Sequence, residues 1–179
     1  GIGNTSGLNA VFTNPAGLVL KQGQEFYLGT TDLSQGLPPL FMIGRRASDF
    51  SSYALTFFRS ESKGPDSTFQ GVMGTFSLNA GEHFSIGAEL FTKMLEGKTT
   101  VDLNTGIQYQ IMKELRLGAR VNNVSQSHIG PISDSLILQR SYGFGLVLNP
   151  MTPLKFYYDF MSPRIDFELG SHTVGYQAS

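Results

Sequence analysis

Five charged side chains carry the clearest chemical pattern in the chain: Glu89 and Lys93, then Asp102, then Arg116 and Arg120. Each falls on the polar phase of an alternating stretch, so on strands paired in order an acidic pair faces a basic pair. Opposed charges of this kind can tune passage or pin an inserted segment through charge-assisted bonds, or simply neutralise one another. Lys155, Asp159, Asp166 and Glu168 extend the pattern. Catalytic chemistry is much less visible. His83, His128 and His172 fall on different elements, and none has a carboxylate at the H-E-x-x-H spacing of a metal site. There is no G-x-S-x-G elbow, P-loop or dinucleotide glycine motif, and nothing selects one serine as the partner of a histidine. No catalytic residue, metal or cofactor is therefore expected. Asn4-Thr5-Ser6 and Asn123-Val124-Ser125 match the glycosylation triplet, which recurs often by chance.

The element that must position these charges is the stretch 101–123. Val101, Leu103, Thr105, Ile107, Tyr109 and Ile111 alternate with Asp102, Asn104, Gly106, Gln108 and Gln110. Met112-Lys113-Glu114 interrupts, and Leu115, Leu117, Ala119 and Val121 then alternate with Arg116, Gly118, Arg120 and Asn122. This predicts two strands joined by a tight turn, each with one apolar and one polar face. A tilted strand needs about 9–11 residues to cross a bilayer, and the first of these strands is that long.

Composition narrows the classes. The 179 residues suffice for one domain with an interior, and a net charge of −1 gives no field that would draw nucleic acid. Charged residues are only 15% of the chain, below the ~25% usual for soluble domains. Cysteine is absent, so there is neither a disulfide framework nor a thiolate metal site. No apolar run approaches the ~18 residues of a membrane helix, so strands would have to do any spanning. The chain reads as mature, beginning at Gly1 with no basic and apolar leader.

Ten strands are predicted: 24–32, 40–45, 51–59, 68–79, 83–94, 99–111, 115–124, 138–148, 153–161 and 165–176. The second is continuously apolar over Leu40–Ile43 and shows no period. Turns after even-numbered strands are all short, whereas some after odd-numbered strands are long, above all 125–137. Outer-membrane barrels show this asymmetry. On such a count both ends of the strand run lie on the periplasmic side. The glycines also sort by face. Gly29, Gly71, Gly87, Gly106, Gly118, Gly143, Gly145 and Gly170 take the polar phase, against Gly74 and Gly175 on the apolar phase. Glycine inside a strand marks a bend or a close approach of other backbone, so the polar face leaves room for an inserted segment. The competing arrangement is a soluble barrel or sandwich with a glycine-rich outside. Tyr53, Phe58, Tyr109, Tyr142 and residues 156–158 are candidates for an interfacial aromatic girdle.

Residues 1–23 do not alternate, and they contain Asn14-Pro15-Ala16-Gly17-Leu18. Proline fixes its own φ and extends Asn14, while Gly17 would permit a sharp turn, so a rigid hook precedes the first strand. This motif, following Gly7-Leu8-Asn9-Ala10-Val11-Phe12, resembles the start of the FadL and PorV group of outer-membrane barrels. The stretch 101–123 is similar to the central hairpin of the PorV-like members; together the two regions cover about a quarter of the chain. The resemblance implies an N-terminal hatch with Asn14, Pro15 and Ala16 at its tip. In FadL-like members such a hatch gates hydrophobic substrates that leave sideways into the membrane. PorV-like members serve protein secretion and bind partner proteins. The chain departs from the group in being shorter, in having fewer strands, and in ending Tyr176-Gln177-Ala178-Ser179 without a terminal aromatic. It is then either a reduced barrel or one completed by further strands.

The sequence thus predicts an all-β, antiparallel, up-and-down transmembrane β-barrel of about ten strands (24–179) with an N-terminal plug (1–23). The expected setting is the bacterial outer membrane, with lipid around the barrel. The expected function is non-enzymatic, passing or handing over a hydrophobic small molecule. The alternative is a scaffold that binds partner proteins or further subunits through its loops without transport. An enzyme of the outer-membrane lipase kind ranks third.

Overall fold

A computed structural model describes residues 2–3, 10–20, 23–29, 40–46, 50–61, 68–95, 98–126, 128–129, 136–137, 139–151, 154–163 and 170–178. The described residues are all-β apart from a short helix α1 (Ala10–Thr13) and a 3-10 turn (Pro15–Leu20). The strands are β1 (Gln24–Gly29), β2 (Leu40–Arg46), β3 (Ser51–Glu61), β4 (Thr68–Asn79), β5 (Phe84–Leu95), β6 (Lys98–Met112), β7 (Leu115–Asn122), β8 (His128–Ile129), β9 (Leu136–Ile137), β10 (Ser141–Met151), β11 (Leu154–Ser162) and β12 (Ser171–Ala178). Ten of them form a single antiparallel up-and-down sheet in the order β1-β2-β3-β4-β5-β6-β7-β10-β11-β12. β8 and β9 pair separately, as a small hairpin within the long 125–137 connection. Among the described residues β1 and β12 pair with their sequence neighbours and not with each other.

All ten expected strands are present, and their ends differ for local reasons. β7 stops at Asn122 because Asn123 turns into the left-handed region at φ 52°. β10 starts later than expected and runs through Pro150, which lacks an N–H; the register shifts between Leu148 and Met151 to accommodate it. The weakly patterned Leu40–Arg46 pairs on both sides, with β1 and β3. The expected strand 165–176 begins only at Ser171, and residues 164–169 lie outside the described residues, as do 30–32.

Burial follows the alternation in an inverted sense. In β6 Asp102 is 1% exposed and Gly106 and Gln108 are buried, whereas Val101, Ile107 and Tyr109 are exposed, Ile107 at 45%. β3 buries Ser52, Ala54 and Thr56 and exposes Tyr53, Leu55 and Phe57. In β5 Glu89 is 1% exposed and Leu90 beside it 57%. The polar face is covered and the apolar face is not, the reverse of a sheet packed on a hydrophobic core. What covers the polar face is the N-terminal segment. The 3-10 turn packs on β3, β4, β5 and β6, and Ile2 lies against β7, β10 and β11.

The covered face is not wholly polar. Phe91, Met73 and Ala54 form an apolar patch with Ala10 and Leu18, and Phe58 packs against it. Five of the buried apolar side chains, Ile2, Ala10, Ala16, Leu18 and Val19, belong to the N-terminal segment itself. Each larger one contributes roughly 1.5–3 kcal/mol of burial to docking. Phe58 is therefore no girdle residue, and by register Tyr157 shares the covered face with Val147. Six exposed aromatics lie towards the end with the short connections, Phe50, Tyr53, Phe76, Tyr109, Phe156 and Tyr176, with the Phe84 ring 6.5 Å from that of Tyr109, while Phe57 and Phe144 are exposed further along their strands.

Candidate functional site

Pro15–Leu20 forms a right-handed 3-10 turn because proline pre-sets φ and, lacking an N–H, suits the first position. The Gly17 N–H donates to the Asn14 carbonyl at 3.0 Å, and the Asn14 N–H closes α1 on the Ala10 carbonyl at 2.9 Å. Gly17 lies outside the positive-φ region, so the expected sharp glycine turn is replaced by a regular 3-10 turn. Asn14, Pro15, Ala16, Gly17 and Leu18 are all buried.

Asn14 is fully buried and is the most connected residue of the hook. Its Nδ2 donates to the Ile2 carbonyl at 3.0 Å and the Ile107 carbonyl at 2.9 Å, and lies 3.4 Å from the Ala119 carbonyl. Its Oδ1 accepts the Ala16 N–H at 3.2 Å. One amide therefore ties the two hook segments to each other and to the directly opposed residues Ile107 and Ala119 of β6 and β7. Only an amide can donate twice and accept at once in this space. Replacing Asn14 by Ala is expected to cost roughly 2–4 kcal/mol of docking, since the buried carbonyls lose their donor. Amide exchange at residues 14, 16 and 17 should then accelerate about a hundredfold.

The approach is possible because the wall there has no side chains. Gly87 pairs with Gly106, and Gly118 pairs with Gly145. A Cβ on Gly87 would overlap the Pro15 carbonyl group, one on Gly106 the Asn14 Oδ1, and one on Gly118 the Ile2 carbonyl oxygen. A Cβ on Gly145 would lie 2.5 Å from Gly3 N, and one on Gly143 2.7 Å from Ile2 Cδ1. Gly74, on the outer face, has nothing within 4 Å. Two glycines at the chain's end take the opposite sides to those expected. Gly175 shares the face of Tyr157, whose ring its Cβ would meet, whereas a Cβ on Gly170 would meet the Phe160 ring. Gly170 is in phase with His172, which lies against the same Phe160 ring.

Polar side chains of the sheet complete the hook's backbone bonding. Ser77 Oγ donates to the Ala16 carbonyl at 3.0 Å, Gln108 Nε2 to the Ile2 carbonyl at 3.3 Å, and Arg120 Nη1 to the Thr13 carbonyl. Asp159 Oδ1 accepts the Ile2 N–H at 2.7 Å. Buried backbone groups need partners, and here four strands supply them.

Among the lumen charges expected from sequence, Glu89 and Arg120 come together. Glu89 accepts from Thr75 Oγ1 at 3.3 Å and from Asn104 Nδ2, and its charge acts on the Arg120 guanidinium. Asp102 serves another purpose: its Oδ1 accepts the N–H of Leu103 at 2.7 Å and of Ser125 at 2.8 Å, bracing the base of the 125–137 connection. Asn123, whose N–H donates to Asn104 Oδ1, and Arg140, which donates to the Val124 carbonyl, belong to the same brace. Arg116 stands apart, towards the short connections. Lys93 lies on β5, and its side chain, like Asp166 and Glu168, lies outside the described residues. Sequence reading missed Ser77 and Gln108 as hook ligands and Phe91 and Met73 as its apolar seat. The available signal was their phase, which is that of Glu89 and Thr75.

Among the described residues no group of three His, Asp or Glu could hold a metal ion. The geometry is that of a docking cradle for the chain's own N-terminus. Comparison with family models, with curated proteins and with solved structures finds no match.

Proposed function

We propose that the sheet is a membrane-embedded β-barrel in a bacterial outer membrane, of the FadL and PorV kind, whose N-terminal hook plugs the lumen. In this reading it passes or hands over a hydrophobic small molecule when the hook shifts, with no chemistry of its own. The observation that carries it is the inverted burial: Asp102 and Glu89 lie covered while Leu90, Ile107 and Phe57 face outward. An outward apolar surface spread over so many strands far exceeds the few hundred Å² that soluble monomers expose. Strands of 11–15 residues in β3 to β6 suit the dimension. At ~3.3 Å per residue and a tilt of about 40°, ten residues rise roughly 25 Å, the height of an outer-membrane apolar band. The aromatics at the short-connection end would form the girdle on one side.

The density of bonds on the hook favours a second reading, a permanently closed barrel that holds partner proteins through its loops. Deleting residues 1–20 tests whether the hook closes a path at all. For a gate, liposomes carrying the truncated protein leak a small apolar dye faster than those carrying the full chain. Unchanged leakage removes the support for transport and leaves the scaffold.

A further inference from the structure

We propose that a recess at the short-connection end of the covered face binds an oxyanion, with Arg116 as its principal ligand. The recess, open to solvent, is roofed by Leu20 at the end of the hook and lined by Ser85, Gln108, Gln110 and Arg116. Asn79, Glu82, His83 and Phe84 complete its rim. Register sets the donors in a band across three strands, since Ser85 lies directly opposite Gln108 and Gln110 directly opposite Arg116.

The contrast between the two arginines of β7 points to a ligand. Arg120 is engaged by the Thr13 carbonyl and by the Glu89 charge. Among the described residues, no hydrogen bond or ion pair engages the Arg116 guanidinium, although it is partly buried. Ser85, 2% exposed, has a hydroxyl with no hydrogen-bond partner among the described residues. A guanidinium drawn out of water without a counter-charge is costly, and its planar fork matches a carboxylate or phosphate group. The hydroxyl of Ser85 and the amide of Gln110 are neutral donors suited to further oxyanion oxygens, whereas the Gln108 amide is already given to the Ile2 carbonyl. The one carboxylate of the lining, Glu82, is exposed. The oxyanion comes either from a free small anion or from a lipid head group. This inference does not rest on transport, because the site is complete with the hook docked.

The test is titration calorimetry on the purified full chain in a non-ionic detergent, with inorganic phosphate in one arm and a short-chain phosphatidic acid in the other. Binding in the phosphate arm assigns a free anion, and binding in the lipid arm alone assigns a head group; both support the site. Arg116→Gln should weaken binding about tenfold or more, and Ser85→Ala about threefold, as loss of a charge-assisted and of a neutral hydrogen bond implies. Lys113→Gln, in the exposed turn nearby, should leave it unchanged. Circular dichroism and heat-dependent gel migration check that each variant is folded. No binding in either arm, or Arg116→Gln binding as tightly as the parent, overturns the proposal.

Discussion

Gly106→Val should expel the hook. Its branched side chain would occupy the place of the Asn14 amide, and Pro15 Cδ lies 3.1 Å from the Cβ position. Neither neighbour can retreat, because Asn14 is bonded to two strands and Pro15 begins a buried 3-10 turn. The cost should exceed the 1–3 kcal/mol typical of overpacking, since about as much again is lost with the amide's hydrogen bonds. The variant should expose residues 10–20 to protease and, if the hook is a gate, reproduce the leakage of the truncated chain. Gly74→Val is the matched control: it lies on the outer face with open space around it, and the hook should stay protected. Equal protection in both variants would mean that the cradle does not hold the segment.

A charge on the outer face should be the second large effect. Leu90→Arg, in the middle of β5, should destabilise the protein by about 2–4 kcal/mol when it is refolded into vesicles, the cost of arginine near a bilayer midplane. The same change on a face bathed in water should fall within about ±0.5 kcal/mol. Denaturant unfolding in vesicles distinguishes the two values clearly.

The strands were legible because period-2 alternation survives in every one of the long ones, and the phase of Asp102 against Ile107 gave the two faces correctly. The sorting of Gly87, Gly106, Gly118, Gly143 and Gly145 foretold a segment against that face. Asn14-Pro15-Ala16-Gly17 was read as a hook with a sharp glycine turn, where the structure has a 3-10 turn. Less was visible where phase depends on an exact boundary: the strand expected from residue 165 is seen only from Ser171, and Gly170 and Gly175 lie on the faces opposite to those expected. The apolar patch of Met73 and Phe91 was hidden because a face read as polar on average can still carry local exceptions. Partner choice was also out of reach. Asp102 and Arg120 share a face, yet only their separation along the strands shows that one braces a loop while the other holds Thr13.

The central claim is that oily side chains of this sheet meet lipid while small polar ones enclose the hook. Because the chain has no cysteine, Ile107→Cys and Gln108→Cys can each carry a single spin label at adjacent places on opposite faces. In liposomes, the label at position 107 should be quenched by dissolved oxygen and shielded from a water-soluble nickel chelate, and the label at 108 should lose that oxygen preference. Ready access of the nickel chelate to position 107 would contradict the account.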